Sequence, residues 1–213
     1  MQQVSEQIIP ETTATVPTIQ SGQNNLFPVF LKLEELHVLL VGAGKVGLEK
    51  LQALLANSPS TKISIVATIV SEEVKQLAAS HPSVTIETRA FKAEDLQGKE
   101  IAVIAVNDRE VSGYITQLAK KERILVNVAD TPEQCDFYLS SIVQKGNLKI
   151  AISTNGKSPT LAKRIRELLE NTLPEEMDEL LSNLNLIRNK MTGDFADKVR
   201  QLNELTKSLA EKE

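Results

Sequence analysis

The chain between residues 37 and 130 repeats one pattern, in which a short apolar run is followed by a segment with helical spacing of apolar positions. The first run, residues 38–41, is wholly apolar, which is typical of a strand buried on both faces. Strands that alternate with helices predict a parallel sheet with helices on both faces, an α/β fold. The pattern predicts strands over 38–41, 63–66, 84–88, 101–106 and 124–128, and helices over 45–56, 71–80 and 110–121.

The pattern changes after residue 130. Two runs, 137–144 and 148–153, flank the sequence Lys145-Gly146-Asn147, which predicts an antiparallel hairpin. Helices are then predicted over 159–171 and 174–191, with a third beginning after Asp194. Their apolar residues form stripes, which indicate packing faces between helices or between subunits.

The pattern also divides the chain into regions. Residues 1–25 are rich in Gln, Thr, Ser and Pro and predict a disordered tail. The apolar segment 26–31 is expected to pack on an edge of the sheet. The predicted domains are therefore a tail over 1–25, a nucleotide-binding domain over 26–136, a hairpin and loop region over 137–157, and a helical region over 158–213.

A glycine motif lies between the first predicted strand and helix, in the sequence HVLLVGAGKVG. Gly42 would allow the tight turn, Gly44 would let a pyrophosphate approach the backbone, and Gly47 would let helix and strand pack closely. The phosphates would then contact the free amides of a helix N-terminus. This predicts a Rossmann-type dinucleotide site, although a tight turn without a ligand would use the same glycines.

The end of the second predicted strand lacks the acid that usually binds the adenosine ribose. Thr68 could offer a hydroxyl there, whereas Glu72 and Glu73 follow Ser71 and are expected in the first turn of a helix that Ser71 caps. No arginine is present at this point to bind a 2′-phosphate, so the sequence favours NAD over NADP.

Composition restricts the function further. The net charge is −4 and aromatic residues make up only 3%, which argues against a nucleic-acid partner. The single cysteine, Cys135, fits a reducing cytoplasm. No apolar run is long enough to span a membrane. His37 and His81 are far apart and Cys135 has no second cysteine, so no metal site is predicted.

Polar residues follow the two last strands of the predicted sheet, where open α/β sheets bind ligands. Asn107 and Asp108 follow one strand, and Asn127 and Asp130 mark the end of the next. Asp108 is expected to be the N-cap of the following helix. For Asp130, which precedes Thr131-Pro132, a role in the turn and a catalytic role are equally compatible with the sequence.

These residues resemble the siroheme-synthase dehydrogenase family, over about residues 25–172. The stretches that carry the resemblance are LFPVFLKLEELHVLLVGAGKVGLEK, NVADTPEQCDFYLSSIV and KIAISTNGKSPTLAKRIRE. The family implies a homodimer joined through its hairpin and helical regions. It also implies that NAD⁺ accepts a hydride from precorrin-2, a tetrapyrrole, and that some members insert Fe²⁺ into the product.

The resemblance assigns roles by position. The essential aspartate of the family falls on Asp130, which could take up a proton as a base. A hydroxyl-bearing residue in the family's substrate loop corresponds to Thr154. The family's cofactor contacts correspond to Lys45, Val46, Thr68 and Ile69. Asn107 is a further candidate for cofactor binding, and Asn127 and Lys157 are candidates for substrate binding.

Other basic residues after the loop could also bind substrate carboxylates, although they could equally form a solvated helix face. These are Lys163, Arg164 and Arg166.

The chain also departs from the family. Many members have Pro-Glu where this chain has Thr68-Ile69, and Pro-Ser where it has Ser140-Ser141. The helices beyond Pro174 match poorly. Two alternatives to a dehydrogenase are a non-catalytic NAD-sensing module with a partner-binding helical tail and a chelatase without dehydrogenase activity.

Overall fold

A five-stranded parallel sheet forms the centre of the computed structural model, which describes residues 24–207. The strands of this sheet and the helices between them follow the predicted order. They are β1 (His37–Ala43), α1 (Lys45–Asn57), β2 (Lys62–Val70), α2 (Glu72–Ala79), β3 (Val84–Thr88), β4 (Ile101–Ile104), α3 (Arg109–Lys121) and β5 (Leu125–Val128).

The strand order of the sheet is β3-β2-β1-β4-β5, with every pair parallel. The chain builds outward from β1 to β3, then crosses back to place β4 on the other side of β1. The direction of winding therefore reverses between β1 and β4. Ligands of open α/β sheets bind at such a point, in the crevice beyond the carboxyl ends of the strands. The predicted α/β fold of Rossmann type is confirmed.

Helices cover both faces of this sheet. On one face, α1 and α2 pack on the β1 side chains of Val38 and Leu40. On the other face, α3 packs on Leu39 and Val41. All four side chains are at most 3% exposed. Because each fully buried aliphatic side chain of this size contributes about 1.5–3 kcal/mol, these two layers stabilise the sheet from both sides.

A two-stranded antiparallel sheet follows, formed by β6 (Ser141–Lys145) and β7 (Leu148–Ile152). Gly146, with φ of 55°, makes the turn between them. The Lys149 ammonium donates a hydrogen bond of 2.8 Å to the carbonyl of Asn57, the last residue of α1. A cation at a helix C-terminus is favourable, so this contact ties the hairpin to α1.

The last described helices are α4 (Pro159–Thr172), α5 (Met177–Lys190) and α6 (Phe195–Thr206). Ser158 caps α4 by accepting from the Leu161 amide, as its Ser-Pro start predicts. Packing of α4 against β6 buries Val143 and Ala162. The turn of the hairpin is held to α5, because the amide and side-chain nitrogens of Asn147 both donate to Asp178 Oδ1 at 2.7 Å.

The apolar stripes of α5 and α6 bury no residue within the described chain. Phe195 is 83% exposed and Leu205 is 58% exposed. The predicted packing between these helices and a subunit stays a prediction.

Several predictions about the fold were wrong. Segment 26–31 does not pack on the sheet: Phe27 is 85% exposed and Phe30 is 68% exposed, because α1, α2 and α3 already cover both apolar faces. The strand predicted over 101–106 ends at Ile104, where the Ala105 carbonyl turns towards Gly42.

The first hairpin strand begins at Ser141 rather than at residue 137. Residues before it are held elsewhere, since the Phe137 side chain packs on the main sheet. The second strand stops at Ile152 and the helix predicted over 174–191 spans Met177–Lys190. The predicted tail over 1–25 lies outside the described residues except at its last two positions.

Candidate active site

Two glycines of the motif are required by the fold itself. Gly42 has φ of 101°, and a Cβ placed on it would lie 2.2 Å from the carbonyl oxygen of Ala105. A Cβ on Gly47 would lie 2.2 Å from the carbonyl oxygen of Gly42. Both contacts are with backbone, which cannot move aside. These glycines therefore permit β1, β4 and α1 to approach closely, as the sequence predicts.

Gly44 differs from the other two glycines. Its φ of −86° suits any residue, and a Cβ placed on it would meet no atom within 4 Å. It is the N-cap of α1 and supplies no side chain to the first amides of the helix, those of Lys45, Val46 and Gly47. Such amides bind anions well. The space and the donors together fit the pyrophosphate of a dinucleotide.

Thr68 and Ile69 lie inside β2, which extends to Val70, and not after the strand as predicted. The extension arises because the Ser71 amide donates to the Ala43 carbonyl at 3.0 Å, which keeps β2 beside the glycine loop. Both side chains are exposed, and Ile69 is 82% exposed. They therefore stand beside the glycine loop at the carboxyl edge, where the ribose of a dinucleotide would lie.

The predictions about the neighbouring acids are confirmed. Ser71 caps α2 through the Val74 amide, and Glu72 pairs with Lys75 at 3.3 Å in the first turn. Asp108 caps α3 by accepting from the amides of Glu110 and Val111 at 2.9 and 3.1 Å. Asn107 is exposed at the carboxyl end of β4.

A cleft of about 490 Å³ lies beyond the carboxyl end of β5, between α1, the hairpin and the start of α4. Asn127, Asp130 and Thr154 line it, although 27 residues separate the first of these from the last. Lys157 does not line it, which contradicts the placement expected for that residue. Three of the four polar residues predicted to contact substrate therefore meet in one cleft, and Lys157 is not among them.

Asn127 is 4% exposed, lines the cleft and carries an unsatisfied acceptor. Its Nδ2 donates to the Phe137 carbonyl at 2.9 Å, whereas its Oδ1 has no hydrogen-bond partner among the described residues. A buried acceptor left without a partner costs about 1–3 kcal/mol. A ligand that donates an N–H or O–H group would remove that cost.

Asp130 is exposed and has φ of 56°, a left-handed conformation that Asp and Asn adopt more readily than most residues. The following residue holds the turn, because Thr131 Oγ1 donates to the Ala129 carbonyl at 3.2 Å. The conformation thus explains why a short polar residue suits this position. It also brings the carboxylate to the cleft, so both roles derived from the sequence are compatible with the structure.

Thr154 is engaged with the start of α4. Its Oγ1 accepts from the Ser158 amide at 3.2 Å and is 3.1 Å from the Ser158 carbonyl, to which it donates. Only the remaining lone pair of the hydroxyl can therefore contact a ligand. The lone pair can accept from an N–H group but the proton is not available to a carboxylate.

Cys135 lines the cleft as an inert group. Its Sγ accepts from the Val128 amide at 3.1 Å and lies 3.2 Å from the Val128 carbonyl. Burial raises the pKa of the Cys135 thiol above its ordinary value, which disfavours the thiolate. The side chain therefore fixes the end of β5 rather than acting as a nucleophile.

Sequence reasoning missed Lys50, a half-buried residue of α1 that also lines the cleft. It lies three residues after Gly47 and four before the buried Leu54, so the helical period places all three on neighbouring parts of one face. The sequence signal that could have identified Lys50 is a lysine on the buried face of an amphipathic helix.

The basic residues that the sequence suggested instead lie on α4 and pair with glutamates of the same helix. Arg164 and Glu167 are 2.8 Å apart, and Arg166 and Glu170 are 3.9 Å apart. Lys163 is 3.9 Å from Glu167. These contacts favour the solvated-face interpretation of that helix.

In residues 24–207, no cluster of three or more His, Cys, Asp or Glu side chains could hold a metal ion. None of the helices described there combines the length and apolar character needed to cross a membrane.

Comparison with known proteins gives matches over most of the chain. Siroheme synthases from Nitrosomonas europaea and Pseudoalteromonas atlantica are 33% and 34% identical over 82% of the chain. The chain spans only about a third of their length, 34% and 35%. A solved structure titled "SirC, precorrin-2 dehydrogenase" superposes with a TM-score of 0.68 and 27% identity, covering 84% of this chain and 89% of that one.

Two family profiles also match. Residues 145–172, which contain the second hairpin strand and all of α4, match the family "Sirohaem biosynthesis protein central". Residues 29–141, more than half of the chain, match the family described as "Putative NAD(P)-binding". Together with the strand order of the sheet and the open helix N-terminus beside Gly44, this match shows that the chain belongs to that NAD(P)-binding family.

Proposed function

We propose that the chain is an NAD-dependent precorrin-2 dehydrogenase, which oxidises this tetrapyrrole to sirohydrochlorin. One observation carries the proposal: the dinucleotide crevice and the polar cleft share α1. The first amides of α1 stand at the glycine loop, and Lys50, one turn later, lines the cleft. A substrate in the cleft would thus lie beside a cofactor in the crevice. The names of the matched siroheme synthases and of the superposed dehydrogenase support this substrate class.

The glycine loop would hold the cofactor. The amides of Lys45 and Val46 would donate to its pyrophosphate, and Gly44 leaves room for it. Thr68 and Ile69 would contact the adenosine ribose, and Asn107 would lie near the nicotinamide half. Because the segment from Thr68 to Glu73 carries no cation and ends in two acids, a 2′-phosphate would be disfavoured there, which supports NAD over NADP.

The cleft residues would handle the substrate. The reaction removes one hydride and one proton, and NAD⁺ supplies the hydride acceptor. Asp130 would accept the proton as the general base. Asn127 Oδ1 would accept a hydrogen bond from a pyrrole N–H, which satisfies its buried lone pairs. Thr154 would accept a second one and Lys157 would contact substrate only from outside the cleft.

Asp130→Asn tests the proposal with little disturbance of the fold, since asparagine tolerates φ of 56° as well as aspartate does. We expect normal NAD binding and a fall in turnover of about 10²–10⁴-fold, typical for loss of a general base. The measurement is formation of sirohydrochlorin and NADH from precorrin-2 under anaerobic conditions. Asp108→Asn, at the cap of α3, is the matched control and should retain turnover.

Normal turnover by a folded Asp130→Asn protein would show that Asp130 only forms the turn and does not act as a base. Absence of turnover by the wild-type protein would refute the dehydrogenase and favour the NAD-sensing alternative. Offering sirohydrochlorin with Fe²⁺ then tests metal insertion, which the proposal includes only as a second activity.

The proposal includes a homodimer in the cytoplasm. Its support is the apolar surface that α5 and α6 leave exposed, of which Leu186, Phe195 and Leu205 are each more than half exposed. Exposed apolar stripes of this kind usually mark an interface. Light scattering at micromolar concentration should give twice the monomer mass. Phe195→Asp combined with Leu205→Asp should shift that mass to the monomer, and a monomeric wild-type protein would refute the dimer.

A further inference from the structure

Lys50 is the cation of the cleft. It projects from the second turn of α1, is half-buried, and lines the cleft together with Asn127 and Asp130. Of the described residues that line the cleft, Lys50 carries the one positive charge and Asp130 the one negative charge. A ligand that fills the cleft therefore meets both an ammonium group and a carboxylate.

Nothing in the described chain neutralises this ammonium group. The ammonium group of Lys50 has no hydrogen bond or ion pair within residues 24–207. Comparable lysines are engaged: Lys149 donates to the Asn57 carbonyl, and Lys120 is 3.1 Å from Asp136. Partial burial of an unpaired charge is unfavourable, since the group loses water without gaining a counterion. A bound carboxylate would supply that counterion.

The charge of Lys50 is felt at the floor of the cleft. Burial raises the pKa of the Cys135 thiol, and the positive charges nearby, that of Lys50 first among them, oppose this rise in pKa. The ammonium group is thus close enough to act on groups at the end of β5, where the substrate would lie.

We propose that Lys50 binds a carboxylate of the substrate and thereby sets the edge of the macrocycle that faces Asp130. This inference rests on the proposed function, because the tetrapyrrole supplies the carboxylates. It also replaces the earlier expectation that cations of α4 bind them, since Lys163, Arg164 and Arg166 have glutamate partners on their own helix.

Lys50 could serve the cofactor instead, since it follows Gly47 by only three residues. The phosphates, however, would bind the first-turn amides, and Lys50 lies one turn further on, on the side that faces the hairpin. Binding of the two ligands is therefore measured separately.

The test uses Lys50→Met, which keeps the length of the aliphatic stem and removes the charge. The probe is sirohydrochlorin, whose binding to the full chain is followed by fluorescence, with NAD binding measured by calorimetry. We expect sirohydrochlorin affinity to fall about 10- to 100-fold, the usual effect of losing a charge-assisted hydrogen bond. NAD affinity should stay within about twofold, which is far less than the tenfold that 1.4 kcal/mol represents.

Three controls make the result specific. Lys50→Arg keeps the charge and should retain most of the sirohydrochlorin affinity. Lys163→Met makes the same change on α4 and should bind sirohydrochlorin as the wild type does. Sirohydrochlorin with its carboxylates methylated should bind the wild type and Lys50→Met equally well. If Lys50→Met does not fold, as judged by its melting temperature, Lys50→Gln takes its place.

Wild-type sirohydrochlorin affinity in the folded Lys50→Met protein would overturn the inference while leaving the proposed function intact. Loss of NAD affinity to the same extent would also overturn it and assign Lys50 to the cofactor. If the wild-type protein neither binds sirohydrochlorin nor turns over precorrin-2, the proposed function is refuted and this inference with it.

Discussion

Gly44→Asp separates the cofactor site from the fold. Gly44 has φ of −86° and an open Cβ position, so aspartate can be introduced without strain or collision. Aspartate is also a better N-cap than glycine by a few tenths of a kcal/mol. The variant should therefore be as stable as the wild type, or slightly more stable, in urea denaturation.

The same substitution should abolish NAD binding for two reasons. The new carboxylate would accept from the amides of Val46 or Gly47, which the pyrophosphate needs. It would also repel the phosphates. At a separation of about 4 Å and an effective dielectric constant of about 20, the repulsion is about 4 kcal/mol. That free energy corresponds to a loss of affinity of about 10³-fold.

Gly44→Asn distinguishes these two causes, because asparagine has the same shape and also caps helices but carries no charge. Calorimetric titration with NAD should show that the Asn variant binds about 10³-fold more tightly than the Asp variant. Equal affinities in the two variants would refute the placement of the phosphates at the N-terminus of α1.

Two further substitutions test the stability of the fold. Arg89 forms a bidentate pair with Asp95 (2.6 and 2.8 Å) that lowers the Asp95 pKa, so Arg89→Met should lower the free energy of unfolding near neutral pH. The stability difference between wild type and variant should be complete above the unfolded-state pKa of Asp95. It should disappear as the pH falls through the lowered folded-state pKa. Urea denaturations at several pH values measure it. A difference that persists in acid would show that Arg89 acts through its packing. Gly113, inside α3, has no atom within 4 Å of its Cβ position, so Gly113→Ala should raise the free energy of unfolding by about 0.5–1 kcal/mol. A lower melting temperature for Gly113→Ala than for the wild type would show that the added methyl group does not fit at this position.

The sheet could be predicted because β1 and β4 contain continuous apolar runs and because α2 and α3 begin with side-chain caps. Ser71 and Asp108 cap their helices as predicted, since an N-cap depends only on the neighbouring amides. Thr68 and Ile69 were misplaced because strand length depends on the partner strand: the Ala43 carbonyl extends β2 by pairing with the Ser71 amide. No local signal encodes that contact.

The site was predicted in part for the same reason. Asn127 lies near the end of β5 and Asp130 follows that strand, and the parallel sheet brings such strand ends to one edge. Lys50 lies in the middle of a helix, and its position in the cleft depends on where the hairpin packs. Segment 26–31 shows the converse, because an apolar composition predicts burial but not the surface that provides it.

The helix α1 connects the glycine loop, the cleft and the hairpin, and its length and helical period fix their relative positions. Its first amides stand at the glycine loop, Lys50 lines the cleft, and the carbonyl of Asn57 is bonded to the hairpin through Lys149. Over 13 residues the helix is about 20 Å long, and each residue turns it by about 100°. One inserted residue between Gly47 and Lys50 would leave the glycine loop intact and rotate the lysine out of the cleft. The length of α1 should therefore tolerate no change, even where its surface residues vary freely.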